Sequence, residues 1–316
     1  MSDTSGRSRP VLNAENVQDL NWDDFEPLLK SMRTSEGKQA SIYHYTTVEG
    51  VKGIIESDAL QASSVFFMND STEVRHSLEI IMDRLDELLP IDKSRTVAQH
   101  ILASAFTKFV ADADTFADAY VSCFCRKDDL LSQWRAYGKE ETCYSIKFSV
   151  KVLASFTTPM SFLAPVAYLP RSKIERADKL IKGAMSTLDR FEINDFDEEI
   201  ALHLLNHLGM PFLIAALFMK HEAFKEENEW RLVCFPFFTS AGEIPPVALK
   251  TRDGILTPYV NLKISEPQKK LSRLPIKQLR VGPSPNAQLA KRGLNQLLKQ
   301  HGLSSIPVVV SETPLR

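Results

Sequence analysis

Short apolar runs of strand length recur along this chain between amphipathic segments of helical period, and the two kinds do not alternate strictly. That pattern constrains the fold more than any single motif. "SIYHY" (41–45), "SSVFF" (63–67), "AYVSCFC" (119–125), "CYSIKFSV" (143–150), "APVAYL" (164–169) and the run from Trp230 to Phe238 read as strands. More strands are expected near 246–250, 256–264 and 276–282, and in "SIPVVVS" (305–311). Helical period marks "NWDDFEPLLKSM" (21–32), "TTVEGVKGIIES" (46–57), "NDSTEVRHSLEIIMDRLDELL" (69–89), "SRTVAQHILASAFTKFV" (94–110), and stretches near 171–190, 197–222 and 285–301. Strands and helices mixed in this way predict an α+β fold, a mixed or antiparallel central sheet with helices packed around it. No low-complexity linker divides the chain. The expectation is a disordered tail over 1–14 and one α+β domain over 15–316, with helical insertions at about 71–110 and 171–222.

Composition excludes several classes. A net charge of -2 across 316 residues announces no general nucleic-acid binder. The longest apolar stretch, "MPFLIAALFM" at 210–219, is too short to span a bilayer, and no signal-peptide segment follows the polar start. Four cysteines, Cys123, Cys125, Cys143 and Cys234, lie in strand-like contexts with no C-x-x-C pair. They are expected as buried free thiols in a reducing cytoplasm.

Five polar stretches stand against this apolar background. In "YHYTT", His44 ends a strand directly before a helix, where exposed N–H groups favour phosphate or nucleotide. On spacing alone it reads first as a core histidine, with Thr46 and Glu49 as a capping box. In "FFMNDSTE", Asp70 and Glu73 have capping-box spacing and Asn69 is left without a role. In "KDDLLSQWRAYG", Ser132, Arg135 and Tyr137 crowd Trp134, which suits either a phosphate with a stacked ring or a loop anchored by a buried tryptophan. "HLLNH" puts His203 and His207 at i and i+4, but Leu204 stands where a zincin has its glutamate, so no metal is expected. Finally, "KEENEWRLV" places Glu227 and Glu229 at the mouth of a strand, as a solvated junction or as working carboxylates. Arg231 is expected to be structural, paired with a carboxylate, one face away from Glu229. No Walker, dinucleotide or nucleophile-elbow glycine motif occurs.

Taken in order, "YHYTT", "FFMNDSTE", "VSCFCRKDDLLSQWRAYG", "FKEENEWRLV", "LRVGPSP" and "SETPLR" resemble a large bacterial family known only as a domain of unknown function. The strand carrying His-Tyr-Thr and its following helix are also similar to the opening of the ADP-ribosyltransferase superfamily, and Glu227-Asn228-Glu229 looks like the Glu-x-Glu pair of its arginine-modifying branch. That resemblance implies an ADP-ribosyltransferase-like sheet and NAD as substrate. It makes Glu229, helped by Glu227, the catalytic carboxylate, and places His44, Tyr45, Thr46, Asn69, Ser132, Trp134, Arg135 and Tyr137 around the nucleotide. It further implies a transferase or NAD glycohydrolase, in phage defence or a toxin system, with a nucleic-acid or protein acceptor. The middle motif of that superfamily has only candidates here: Ser122, or Ser132 with Trp134 or Tyr137. Two other readings stay open: a nuclease or other nucleic-acid enzyme using His44, Arg135 and the carboxylates, and a non-catalytic binding or regulatory module. The transferase reading requires His44, Trp134, Arg135 and Glu229 to line one pocket.

Overall fold

The computed structural model describes residues 9–13, 16, 23–33, 40–67, 73–89, 96–112, 119–138, 142–154, 161–193, 198–235, 246–252, 254–263 and 273–314. In chain order its helices are α1 (Glu26–Arg33), α2 (Val48–Ser57), α3 (Glu73–Leu88), α4 (Val97–Ala111), α5 (Leu131–Tyr137), α6 (Val150–Ala154), α7 (Pro170–Leu188), α8 (Glu198–Ala216) and α9 (Ala287–Gln300). Its strands are β1 (Ser41–Thr46), β2 (Leu60–Ser64), β3 (Tyr120–Cys125), β4 (Tyr144–Ser149), β5 (Ser161–Pro165), β6 (Glu229–Cys234), β7 (Ala248–Arg252), β8 (Ile255–Leu262), β9 (Ile276–Val281) and β10 (Val308–Val310). The fold is mixed α+β, as the period pattern requires. Among the described residues no helix is long and apolar enough to cross a membrane.

The chain divides into two compact units. One comprises residues 1–31, 71–117 and 167–222 and is helical, containing α3, α4, α7 and α8. Thr96 and Gln99 close a reciprocal capping box at the start of α4. α8 keeps its helix through Pro211 but ends at Ala216, short of the expected 222. The carbonyls beyond it are taken by cations from α7: Arg176 Nη1 donates to Phe218 O at 2.5 Å and Lys173 Nζ to Lys220 O at 3.5 Å. Part of the expected tail is tied down here, because Val11 bridges Glu192 and Leu12 is buried.

The other unit, residues 32–70, 118–166 and 223–316, holds a ten-stranded mixed sheet. Its long path runs β10-β9-β4-β1-β3-β2-β8-β7, antiparallel except for β9 with β10. β3 is the branch point. β6 pairs along one whole edge of β3, from Tyr120 opposite Cys234 to Cys125 opposite Glu229, and β5 follows β6. The other edge of β3 is shared: β1 meets it at Tyr43 opposite Cys125, and β2 at Ser63 opposite Val121. β1 and β2 therefore part company at the middle of β3, leaving a fork. One face carries the core, where Ile42, Phe124, Ile146, Phe148, Trp230 and Leu232 pack with Ile54 of α2 and Leu298 of α9.

Local chemistry moves three boundaries. "SSVFF" is only partly strand: β2 ends at Ser64, the last residue to pair with β3, and Val65–Phe67 form a 3₁₀ turn. "APVAYL" is not a strand of its own: β5 is Ser161–Pro165, and beyond it only the Val166 N–H still reaches β6, at Glu229 O (3.0 Å). Helix α2 begins one residue later than its apparent capping box. Thr46 stays paired with Tyr144 in the sheet, and Thr47 is the N-cap, its hydroxyl accepting from Gly50 N. Gly50 is needed there, because a Cβ would lie 1.9 Å from Thr46 Oγ1. Thr47→Ala is expected to lower stability by about 1 kcal/mol in denaturant unfolding, with Thr47→Ser close to wild type.

Candidate functional site

Glu227 and Glu229 do not form a strand pair. Glu227 ends a 3₁₀ turn, Glu222–Glu227, and Asn228 has φ 44°, the left-handed conformation that asparagine tolerates. The chain turns there, and only Glu229 enters β6. Its carboxylate is held by Arg231, with Nε to Oε1 and Nη2 to Oε2 each at 2.9 Å. Both side chains are buried, 7% and 1% exposed. Arg231 is thus structural and paired with a carboxylate, but the carboxylate is Glu229 itself. The two are not a face apart: residues two apart on a strand share a face. A bidentate guanidinium clamp fixes Glu229 in place and balances its charge within the protein.

"KDDLLSQWRAYG" is organised around its two aspartates. Arg280 of β9 reaches Asp128 through Nε (3.1 Å) and Nη2 (2.9 Å), and Asp129 through Nη1 (3.3 Å). Asp129, at φ 53°, accepts from Trp134 Nε1 at 2.8 Å, from the Glu312 N–H at 2.9 Å, from Thr313 Oγ1 at 3.0 Å and from Ser311 Oγ. Burial alone would raise the Asp129 carboxyl, yet these donors outweigh it and hold it below the usual carboxylate range. Tyr45 closes the arrangement. Its hydroxyl donates to Lys127 O and accepts from Leu130 N, both at 3.0 Å, and its ring meets Trp134 edge-on at 4.6 Å. Burial pushes its phenol pKa well up, so it stays a neutral hydroxyl. Trp134, Tyr45, Cys125 and Cys143 form a small core of their own.

His44 sits at the fork. Where β1 leaves β3, the Cys123 carbonyl faces the gap, and His44 Nδ1 lies 2.8 Å from it. A carbonyl only accepts, so Nδ1 carries the proton and Nε2 is the acceptor. Burial pushes the pKa of the imidazole down to about 4; its bond to the Cys123 carbonyl opposes the shift and the nearby Lys250 charge adds to it. The ring also meets Phe124 edge-on, 5.6 Å between centroids. At neutral pH His44 is a fixed, uncharged acceptor.

The expected site residues do not all converge. Tyr43 is opposite Cys125, and Cys125 opposite Glu229, so these three share one face of the sheet. His44, one residue on, belongs to the other face, opposite Ile146 and against Phe124. β3 lies between β1 and β6, so the strands of His44 and Glu229 are not neighbours either. The single pocket required of His44, Trp134, Arg135 and Glu229 is therefore not formed, because a one-residue offset on a strand reverses the face. Tyr45 and Trp134 lie on the Glu229 face, both engaged in packing. Thr46 is buried against Gly50. Ser132 and Arg135 are exposed on α5, and Tyr137 is half-buried beside Trp134. Asn69 and Asp70 lie outside the described residues, as does the His203 side chain. Glu73, assigned to a cap from its spacing, is buried and paired with Lys220 at 3.8 Å. Ser122 Oγ donates to Gln61 O. Cys125, Cys143 and Cys234 are buried thiols and Cys123 is half-buried; none is in a disulfide.

Over residues 133–232 the chain is similar to a family described as a protein of unknown function, DUF2971. That span includes Trp134 and the Glu229–Arg231 pair. His44, Arg280 and the terminal segment lie outside it. No curated protein and no solved structure matches the chain.

Two consequences are measurable. Arg231→Met leaves Glu229 buried without its cation and should cost roughly 3–5 kcal/mol, while adding Glu229→Leu should recover most of the loss. For His44, the folded pKa lies below the unfolded value of 6.5. Above that value the ring is neutral in both states and stability does not depend on it. As pH falls toward 4 the unfolded chain takes a proton that the folded chain refuses, so stability is lost across that window. Unfolding at pH 7 and pH 4.5 should show wild type losing roughly 2 kcal/mol more than His44→Gln.

Proposed function

We propose that the sheet unit binds a nucleotide of the NAD class at the fork between β1 and β2, with His44 Nε2 accepting a hydrogen bond from a ribose hydroxyl. The observation that carries this reading is the state of His44: neutral, held by the Cys123 carbonyl in one tautomer, and presenting an acceptor. A ribose hydroxyl is a neutral donor of the matching kind. The resemblance of the His-Tyr-Thr strand and following helix to the ADP-ribosyltransferase opening points to the same ligand.

The reaction implied by that resemblance breaks the bond between nicotinamide and ribose, with a carboxylate stabilising the developing cation. In the present geometry Glu229 faces away from His44 and holds Arg231. The proposal therefore stops at binding. It favours a module that recognises a nucleotide over a transferase that consumes one. The aspartate cluster supports this, since Asp128, Asp129, Trp134 and Arg280 are engaged with one another.

Calorimetric titration with NAD, combined with an assay for released nicotinamide, tests the reading. Wild type should bind without turnover, and His44→Ala should weaken binding about tenfold, the loss of one good hydrogen bond. Absence of binding at millimolar NAD overturns the proposal. Steady nicotinamide release that Glu229→Gln abolishes would instead restore the transferase.

A further inference from the structure

Acidic residues slightly outnumber basic ones in this chain, 40 against 38, but the two are not evenly spread. From Arg273 to Ser311, the stretch that forms β9, α9 and β10, there are six lysines and arginines and no aspartate or glutamate. Arg280 is held by Asp128 and Asp129, and Arg273 donates to His301 O at the end of α9. Lys277, Lys291, Arg292 and Lys299 make no ion pair among the described residues. The period of α9 sorts these charges. Its apolar side, Ala287, Leu294 and Leu298, is buried in the core of the sheet unit. The other side is exposed and carries Gln288, Arg292, Asn295, Gln296 and Lys299, with Lys291 half-buried beside it. Lys299 complements the negative end of the helix dipole, but Lys291 and Arg292 lie in mid-helix and have no such use. Helix α2, packed into the same core, adds Glu49 and Glu56, and Glu56 stands 4.0 Å from Lys52.

Gly293 is a second, independent sign on the same side. Glycine in a helix interior is destabilising relative to alanine, and it is usually kept where packing leaves no room for a Cβ. At Gly293 a Cβ would meet nothing within 4 Å. Folding has no need of glycine there. A bare backbone between Arg292 and Asn295 lets another molecule come close.

We infer that the exposed side of α9 is a docking surface for double-stranded DNA. Unpaired cations along a helix are the complement of a polyphosphate, and the amides between them can meet sugar and base edges. An anionic membrane fits less well, because the apolar side of α9 is already buried and cannot insert. Single strands are held by stacking on aromatic side chains, and α9 has none. The major groove of duplex RNA is too narrow for side chains to read, whereas that of B-DNA admits a helix. No covalent step is involved, and the inference stands apart from the nucleotide reading of His44.

Fluorescence anisotropy with a labelled DNA duplex, over a salt series, tests this. Wild type should bind with a Kd of about 1–100 μM at physiological salt. A triple variant, Lys291→Gln with Arg292→Gln and Lys299→Gln, should bind at least about tenfold more weakly. It should also flatten the slope of log K against log salt by about two to three. A control triple, Lys108→Gln with Lys179→Gln and Lys182→Gln, removes as many exposed cations from α4 and α7 and should bind as wild type does. Gly293→Gln should melt no lower than wild type, since glutamine is the better helix former, yet bind DNA at least about threefold more weakly. The inference is overturned by absence of binding at about 100 μM protein, or by equal weakening in the two triple variants. Unchanged binding by Gly293→Gln also overturns it, as does tighter binding to duplex RNA, to the separated strands or to phosphatidylserine vesicles.

Discussion

Adjacent carboxylates repel, and two of them side by side in a half-buried turn are held together only if fixed donors surround both. Asp128 and Asp129 meet that condition through Arg280, whose guanidinium reaches both. The rest of the polar framework follows from this arrangement. Because Asp129 is held in the left-handed conformation, its carboxylate faces Trp134 and the terminal segment together. Trp134 is thereby fixed against Tyr45, and α5 is fixed to the sheet. Close packing then dictates Gly282, where a Cβ would lie 2.9 Å from both Trp134 Cε3 and Cys143 Sγ. The separated motifs "KDDLLSQWRAYG", "LRVGPSP" and "SETP" are one structural assembly. The alternative reading of Trp134, a loop anchor, describes its place here.

How much of this was legible in the sequence depends on how local the cause is. The core strands declared themselves by apolar period, as Ile42, Phe124, Ile146, Phe148, Trp230 and Leu232 show. A carboxylate partner for Arg231 was expected, but not Glu229, which was set a face away although residues two apart on a strand share a face. The branching of β3 was not legible. It is decided by pairings such as Tyr43 with Cys125 and Cys125 with Glu229, far apart in the chain, and those pairings put His44 and Glu229 on opposite faces. The aspartates were visible as a motif, but their partner Arg280 is 152 residues away, and no local spacing encodes that contact. Asn228 misled for a different reason. Glu-x-Glu reads as a same-face pair only if the middle residue is extended, and a left-handed asparagine breaks the alternation.

The same accounting of donors and acceptors shows where the sheet unit is complete and where it is not. Around Asp128 and Asp129 the aspartate oxygens meet Arg280, Ser311, Thr313, Trp134 or a main-chain N–H. At Glu229 both carboxylate oxygens meet Arg231. Such groups hold a fold in one arrangement, because displacing any of them strands a charge. At the fork the balance differs. His44 has one nitrogen engaged and one presenting a lone pair; on the opposite face of the sheet, Thr257 Oγ1 and Asn261 Oδ1 are buried with no hydrogen-bond partner among the described residues. Folding alone gains nothing from leaving those atoms unmatched, and a valine or leucine would serve packing better. Carboxylates drew the eye in the sequence because they are charged. In the folded protein Asp128, Asp129 and Glu229 are matched by Arg280 and Arg231, and these pairs hold the frame of the sheet that carries His44.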